Sequence, residues 1–166
     1  MSTNTAALEN ADRNAYRPDQ GVAVATAESA SPMRYAVPLG RLLFALIFLN
    51  SLVGHFSPDA IAYSAQAGVP MAALLVPLSG VLAFAGGLSI ALGYRARLGA
   101  WLLIAFLVPV TLKMHAFWTI ADPMARQLDQ VMFFKNVSML GAALMIAYFG
   151  AGPISIDARN RARRNG

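Results

Sequence analysis

Four long apolar segments, separated by short polar connections, constrain this sequence more than any other feature. They run from about Val37 to Phe56, Pro70 to Tyr94, Leu98 to Trp118, and Val131 to Gly150. Each approaches the ~20 residues that an α-helix needs to cross the ~30 Å hydrocarbon layer of a bilayer. Because a backbone in lipid must satisfy its own hydrogen bonds, each segment should be a helix. The sequence therefore predicts an all-α integral membrane protein, a four-helix transmembrane bundle.

The composition agrees with a membrane protein and excludes several kinds of chemistry. Charged residues make up 13% of the 166 residues, too few to cover a soluble domain, which usually carries about 25%. Cysteine is absent, which excludes disulfides, thiolate metal sites, iron–sulfur clusters and thiol redox chemistry within this chain. The sequence contains no phosphate loop, dinucleotide-binding glycine motif or nucleophile elbow, so it offers no motif of a soluble enzyme.

The basic residues predict the orientation of the segments. Arg95 and Arg97 lie between the second and third segments, and four more arginines lie in the C-terminal tail. The first connection has no Lys or Arg, and the third has only Arg126. The positive-inside rule then places both termini in the cytoplasm. We interpret the net charge of +5 as attraction of the basic tail to anionic lipid, and not as nucleic-acid binding.

The chain divides into three predicted regions. Residues 1–35 form an N-terminal arm, residues 36–152 the transmembrane domain, and residues 153–166 a basic cytoplasmic tail. The arm is rich in Ala, Ser, Thr and Asn, carries acidic residues and has no apolar core, so it is not a secretory signal. We predict that it is a disordered cytoplasmic extension. The predicted localisation is the bacterial inner membrane, with several spans.

Polar residues at membrane depth are the candidates for a site, because they are costly in lipid and usually face the protein interior. His55 ends the first segment, and His115 follows Lys113 at the end of the third. Lys135 and Asn136 lie near the outer end of the fourth. This common depth predicts a binding pocket formed by His55, His115, Lys135 and Asn136. Each residue also has a simpler interpretation, in which its side chain only contacts lipid head groups.

The candidate pocket would offer imidazoles, an amide and a positive charge, but no carboxylate. All eight Asp and Glu residues lie outside the apolar segments. A quinone, or a lipid head group with carbonyl or anionic oxygens, suits such a site, and either is a possible ligand. A proton-coupled transporter usually places an acidic relay in the membrane, so this class is disfavoured. Two histidines could hold a b-type haem, but nothing else supports haem, and no ligands complete a metal site.

Arg41 lies near the cytoplasmic end of the first segment and has two interpretations. Its long side chain could snorkel to lipid phosphates. Alternatively, its guanidinium could act inside the bundle, as charged groups within membrane segments usually do.

Several short stretches, taken in order, resemble the DoxX family of small bacterial membrane proteins from about Val37 to Arg159. They are the stretch Arg41–Phe48, His55-Phe56, Ala67–Pro70, Gly86-Gly87, Gly93–Arg97, Pro109–Thr111, His115–Trp118, Phe134–Val137, Gly150–Pro153 and Ser155–Asp157. The resemblance implies a four-helix inner-membrane protein, with some relatives linked to thiosulfate oxidation that feeds quinone and others to oxidative stress. Members often carry Glu three residues before the glycine pair, where this chain has Ala83.

Together these features predict an accessory, binding or assembly component of a membrane complex, without catalysis of its own. The first alternative is a quinone-binding subunit of a membrane oxidoreductase. The second is a small-solute transporter. The sequence leaves the substrate, the partner proteins and the oligomeric state open.

Overall fold

A computed structural model describes residues 32–166, and residues 35–166 form one compact unit. The described part contains six α-helices and no strand. They are α1 (Ala36–Ser51), α2 (Pro58–Gln66), α3 (Ala72–Leu92), α4 (Ala96–Met114), α5 (Pro123–Phe149) and α6 (Ile156–Asn165). Single 3-10 turns at Val53–Phe56 and Phe117–Thr119 follow α1 and α4. The predicted disordered arm lies outside the described residues, except for residues 32–35.

The four spanning helices correspond to the four apolar segments. Helices α1, α3, α4 and α5 are long and apolar enough to cross a membrane, which confirms the predicted all-α membrane fold. Because the number of spans is even, the start of the first span and the end of the last span lie on the same side of the membrane. By the positive-inside rule this side is cytoplasmic, because it carries the exposed arginines of the α3–α4 turn and of α6. The other side is called the outer side below.

Helices that follow one another along the chain form the main packing contacts of the bundle. Helix α3 packs against α1 and α4, and α4 packs against α5. In the most apolar part of each helix, 33% of the residues of α3 are buried, but only 11% of those of α5. Helix α3 is therefore central and α5 peripheral. The apolar side chains left exposed on the outside of the bundle are those expected of helices surrounded by lipid.

Adjacent glycines let α3 approach both of its neighbours. A Cβ on Gly86 would lie 2.8 Å from Leu103 Cδ2 of α4. A Cβ on Gly87 would lie 3.0 Å from Phe48 Cβ of α1. In lipid, apolar surfaces gain little by leaving the solvent, so close contact of this kind supplies much of the attraction between helices.

Arg41 is buried at the cytoplasmic end of α1, with 5% of its surface exposed. Its guanidinium donates a hydrogen bond from Nη1 to the carbonyl of Ala151 and another, of 2.8 Å, from Nη2 to the carbonyl of Ile154. Both carbonyls lie in the segment between α5 and α6. Arg41 therefore acts inside the bundle and does not snorkel to lipid.

Asp157 joins the start of α6 to the α3–α4 turn. Its carboxylate accepts hydrogen bonds from the backbone N–H groups of Arg95 at 2.8 Å and Ala96 at 3.1 Å. Its own N–H donates to the carbonyl of Gly93 at 2.9 Å. The negative charge thus satisfies free N–H groups at the positive end of the α4 dipole. The basic tail is consequently attached to the bundle at its first residues.

Two helix starts differ from the sequence prediction. The fourth spanning helix begins at Pro123, eight residues before the predicted Val131, and the Asp122 side chain caps it. The first connection contains α2, which begins at Pro58 and is capped by Ser57. Both starts pair a capping side chain with proline at the first helical position. Hydropathy alone misses them because these turns are polar.

The absence of cysteine allows a direct test of the orientation, because any introduced cysteine is unique. Thr119→Cys lies in the exposed outer turn after α4, and Asn160→Cys is exposed on α6. We expect a membrane-impermeant maleimide to label Thr119→Cys in intact spheroplasts and Asn160→Cys only after permeabilisation. The reverse pattern would contradict the assigned orientation.

Gly93→Ala should destabilise the cytoplasmic end of the bundle. Gly93 has a φ of +63°, and a Cβ there would lie 2.6 Å from Ser155 Cβ and 2.7 Å from Arg41 Nη1. The left-handed conformation alone costs a residue with a Cβ about 1–2 kcal/mol. We therefore expect a lower unfolding temperature in detergent. The control is Gly141→Ala, whose Cβ meets nothing within 4 Å, and an equal loss in both variants would refute the argument.

Candidate functional site

A cavity of about 950 Å³ opens in the outer half of the bundle. Its walls come from the end of α1 and the turn after it, from α2, from the first half of α3 and from the last half of α4. All of these parts lie toward the outer side, and α2 packs against α3 there. Helix α2 and its connections therefore form part of the cavity wall at this level.

Most of the cavity wall is apolar. Val76 and Leu82 of α3 face Phe106, Pro109 and Val110 of α4 across it. Proline has no N–H, so Pro109 cannot donate the usual helical hydrogen bond to the residue four positions earlier. That residue is Ala105, whose carbonyl therefore lacks its usual intrahelical donor. Ala105 also lines the cavity.

His55 is the one member of the predicted pocket that lines the cavity. Its Nδ1 lies 2.8 Å from the carbonyl oxygen of Ser51. A carbonyl only accepts hydrogen bonds, so Nδ1 carries the proton and Nε2 of the neutral ring is an acceptor. The centroids of the His55 and Phe106 rings are 5.8 Å apart. A Cβ on Gly80 would lie 2.5 Å from His55 Cβ. Close packing therefore fixes the imidazole in the wall.

Lys113 also lines the cavity, although it is not one of the four predicted pocket residues. Its Nζ lies 3.1 Å from the position that a Cβ on Gly68 would occupy. The spacing of residues along α4 could have identified Lys113 as a residue of the cavity wall. Lys113 follows Pro109 by four residues and Val110 by three, so the three share one face of α4, whereas His115 lies about 200° further around.

His115 lies at the end of α4 and faces the start of α5. Its Nδ1 is 2.9 Å from Asp129 Oδ1, and both side chains are partly buried. This contact joins the two helices across their outer connection. His115 is not among the residues of the cavity wall.

Lys135 and Asn136 point in different directions from α5. Lys135 is exposed, and its Nζ lies 3.2 Å from Met132 Sδ on the same helix. Asn136 is 5% exposed, and α5 packs mainly against α4. Neighbouring residues of a helix are about 100° apart, so the two cannot face one pocket equally. The structure brings only His55 of the four to the cavity, and a joint role in binding stays a prediction.

Of residues 32–166, those that line the cavity include one charged side chain, Lys113, and no carboxylate. Its other polar groups come from Asn, Ser, Tyr and His. Within residues 32–166, no group of three or more potential metal ligands of the His, Cys, Asp and Glu types comes together. The arrangement is suited to holding an apolar molecule with a polar end.

Two relatives from Escherichia coli K12 match most of the chain. The inner membrane protein YphA is 29% identical over 118 residues, which are 71% of this chain and 82% of that protein. The inner membrane protein YqjF is 29% identical over 123 residues, which are 73% of this chain and 88% of that protein. With the four spanning helices, these matches confirm the predicted multi-pass location in the inner membrane.

A third relative is eukaryotic and longer. The Surfeit locus protein 4 homolog of Drosophila melanogaster is 37% identical over 70 residues, which are 41% of this chain and 26% of that protein. No solved structure is significantly similar to the chain.

The predicted membership of the DoxX family is wrong. The family model that matches, over residues 10–162, is that of the SURF4 family. The DoxX prediction failed because its features, such as a basic turn after the second span and a glycine pair within it, serve topology and helix packing in many four-span proteins. The links to thiosulfate and oxidative stress lose their basis with it. The chain belongs to the SURF4 family.

Proposed function

We propose that this protein is an accessory component of the inner membrane that binds a lipid-like molecule and has no catalysis of its own. The observation that carries the proposal is the cavity in the outer half of the bundle. Its volume of about 950 Å³ lies near the upper end of the roughly 300–1,000 Å³ typical of ligand pockets. The cavity also lies at membrane depth, where lipids are the most abundant small molecules.

The division of the wall into two kinds of surface supports an amphipathic ligand. Helices α3 and α4 contribute most of the apolar part, with Leu82 and Ala105 deepest along their helices. His55 and Lys113 lie toward the outer end. An apolar chain and a polar head would each meet matching surface, as in most small-molecule sites, where a few polar groups fix the orientation.

The polar groups of the wall do not form an arrangement typical of catalysis. Ser51, Ser57 and Ser79 each donate their hydroxyl proton to a backbone carbonyl on their own turn. His55 is held by a carbonyl and not by a carboxylate, and no Asp or Glu lines the cavity. Nucleophilic catalysis would need a hydroxyl bonded to a base that a third group orients. These contacts favour binding over chemistry.

The quinone-binding alternative uses the same cavity. Carbonyl oxygens of a quinone could accept hydrogen bonds from Lys113, and the apolar wall could hold an isoprenoid tail. The small-solute transporter has less support, because Ile90, Ala100 and Leu103 are completely buried in the cytoplasmic half of the bundle. This packed cluster closes the bundle below the cavity, as expected for a pocket with one entrance.

The basic tail supports the proposed contact with anionic lipid. All four arginines of α6 are exposed, as are Arg95 and Arg97 in the α3–α4 turn. Asp157 attaches α6 to that turn, so the two sets of arginines belong to one end of the bundle. Each basic side chain near an anionic surface contributes about 1 kcal/mol of attraction.

Filling the cavity should displace the bound lipid. Ala105 is exposed on the wall, and Ala105→Phe would place a ring in the cavity, whereas Ala85→Phe adds the same ring to an exposed position of α3 outside the lining. We expect native mass spectrometry of the detergent-purified protein to show one retained lipid in the wild type and in Ala85→Phe. The retained fraction should fall several-fold in Ala105→Phe.

Extraction and mass spectrometry of the retained molecule would identify it. A phospholipid or fatty acid is the expected result, and a quinone would favour the redox alternative. Binding in the cavity would be refuted if Ala105→Phe retained as much lipid as the wild type. The unfolding temperatures of the two variants would show that both are folded.

A further inference from the structure

We infer that Lys113 selects ligands whose head group carries anionic oxygen, either a carboxylate or a phosphate. This inference rests on the proposed function and specifies the class of ligand. The geometry that points to it is the placement of the Lys113 amine beside Gly68, in a cavity wall to which residues 32–166 contribute no other charged side chain.

The charge of the cavity is not balanced by the protein. Lys113 is the single charged residue of the lining. Among residues 32–166, the ion pair found joins His115 to Asp129, and Lys113 has no carboxylate partner. An ammonium group near lipid is stabilised when an opposite charge is close and the geometry allows hydrogen bonds. An anionic head group in the cavity would supply that charge.

Gly68 provides the space in which the Lys113 amine lies. The residue has a φ of +78°, and a side chain there would approach Nζ to 3.1 Å. The amine therefore lies over bare backbone at the rim of the cavity. A head group can approach it from the cavity without displacing a side chain at position 68.

The end of α2 does not require Lys113 as a cap. A cation at the C-terminus of a helix can be stabilised by the last carbonyls. Here three of the last four carbonyls of α2 already accept backbone hydrogen bonds. The N–H of Ala67 donates to Tyr63 at 3.0 Å, that of Gly68 to Ala65 at 2.9 Å, and that of Val69 to Ser64 at 3.0 Å. The donors of Lys113 are thus available for a ligand.

The hydrogen-bonding groups of the wall favour an acceptor-rich head. Three of its serines have committed their protons to carbonyls. The remaining donors include the three N–H groups of Lys113, the amide of Asn50 and the hydroxyl of Tyr63. Hydrogen bonds from an ammonium to an anionic oxygen are roughly twice as strong as those between neutral groups. A carboxylate or phosphate would therefore bind more tightly than an alcohol or a quinone.

Three probes with the same saturated chain isolate the head group: palmitate, hexadecyl phosphate and hexadecanol. Binding to the full-length protein in dodecyl maltoside, at mildly alkaline pH, would be measured by titration with native mass spectrometry. We expect the two anions to bind about tenfold more tightly than the alcohol, as for one hydrogen bond to a charged group. Palmitate and hexadecyl phosphate together distinguish a fatty-acid carboxylate from a lipid phosphate.

Lys113→Met removes the charge and keeps an unbranched side chain, so it should abolish the preference for the anions. Arg126→Met also removes a positive charge on the outer side, at an exposed position outside the cavity lining, and should leave the preference unchanged. Lys113→Arg keeps the charge and should retain the preference for the anions. This variant separates the effect of the charge from an effect of the substitution on folding.

Different results refute the two proposals. The selection by Lys113 is refuted if Lys113→Met still prefers the anions, or if hexadecanol or ubiquinone binds as tightly as palmitate to the wild type. In those cases the cavity still binds a lipid. The proposed function itself fails if none of the probes binds to folded wild-type protein and Ala105→Phe retains as much lipid as the wild type.

Discussion

Helix α3 lies against its neighbours at three glycines, and the shape of the whole bundle depends on these contacts. Gly86 and Gly87 bring α4 and α1 close in the inner part of α3, and Gly80 receives the side chain of His55 further out. In lipid the helices cannot rely on the hydrophobic effect to associate, so surface complementarity must hold them together. The inner half is consequently dense. The outer half, where α2 connects the first two spans and packs against α3, retains the cavity.

The number and approximate bounds of the spans could be predicted from hydropathy, because lipid imposes a length and a composition on every crossing helix. For the site, only its depth in the membrane could be predicted. Residues at one depth can face any direction, and the neighbours Lys135 and Asn136 show this, because the first is exposed and the second is buried. Helical spacing could have assigned Lys113 to the face of Pro109 and Val110. Which face of α4 borders a cavity depends on packing that the sequence does not display.

Two polar features illustrate how context decides the role of a charged residue in a membrane protein. Arg41 could have reached lipid phosphates, but carbonyls released at the end of α5 lie close enough to bind it. Lys113 could also have found a partner in the protein, yet no carbonyl or carboxylate of residues 32–166 pairs with its amine. The first residue is therefore structural. The second has the character of a binding group, and the difference follows from what the neighbouring backbone leaves unsatisfied.

The hydrogen bond from Arg41 to Ala151 links residues 110 positions apart, which has a consequence for biosynthesis. The first span enters the membrane with a guanidinium whose acceptors have not yet been translated. Those acceptors follow the fourth span, so the guanidinium remains without them until every span has been made. A chain interrupted before the end of the fourth span therefore keeps a guanidinium without these two partners in its first helix.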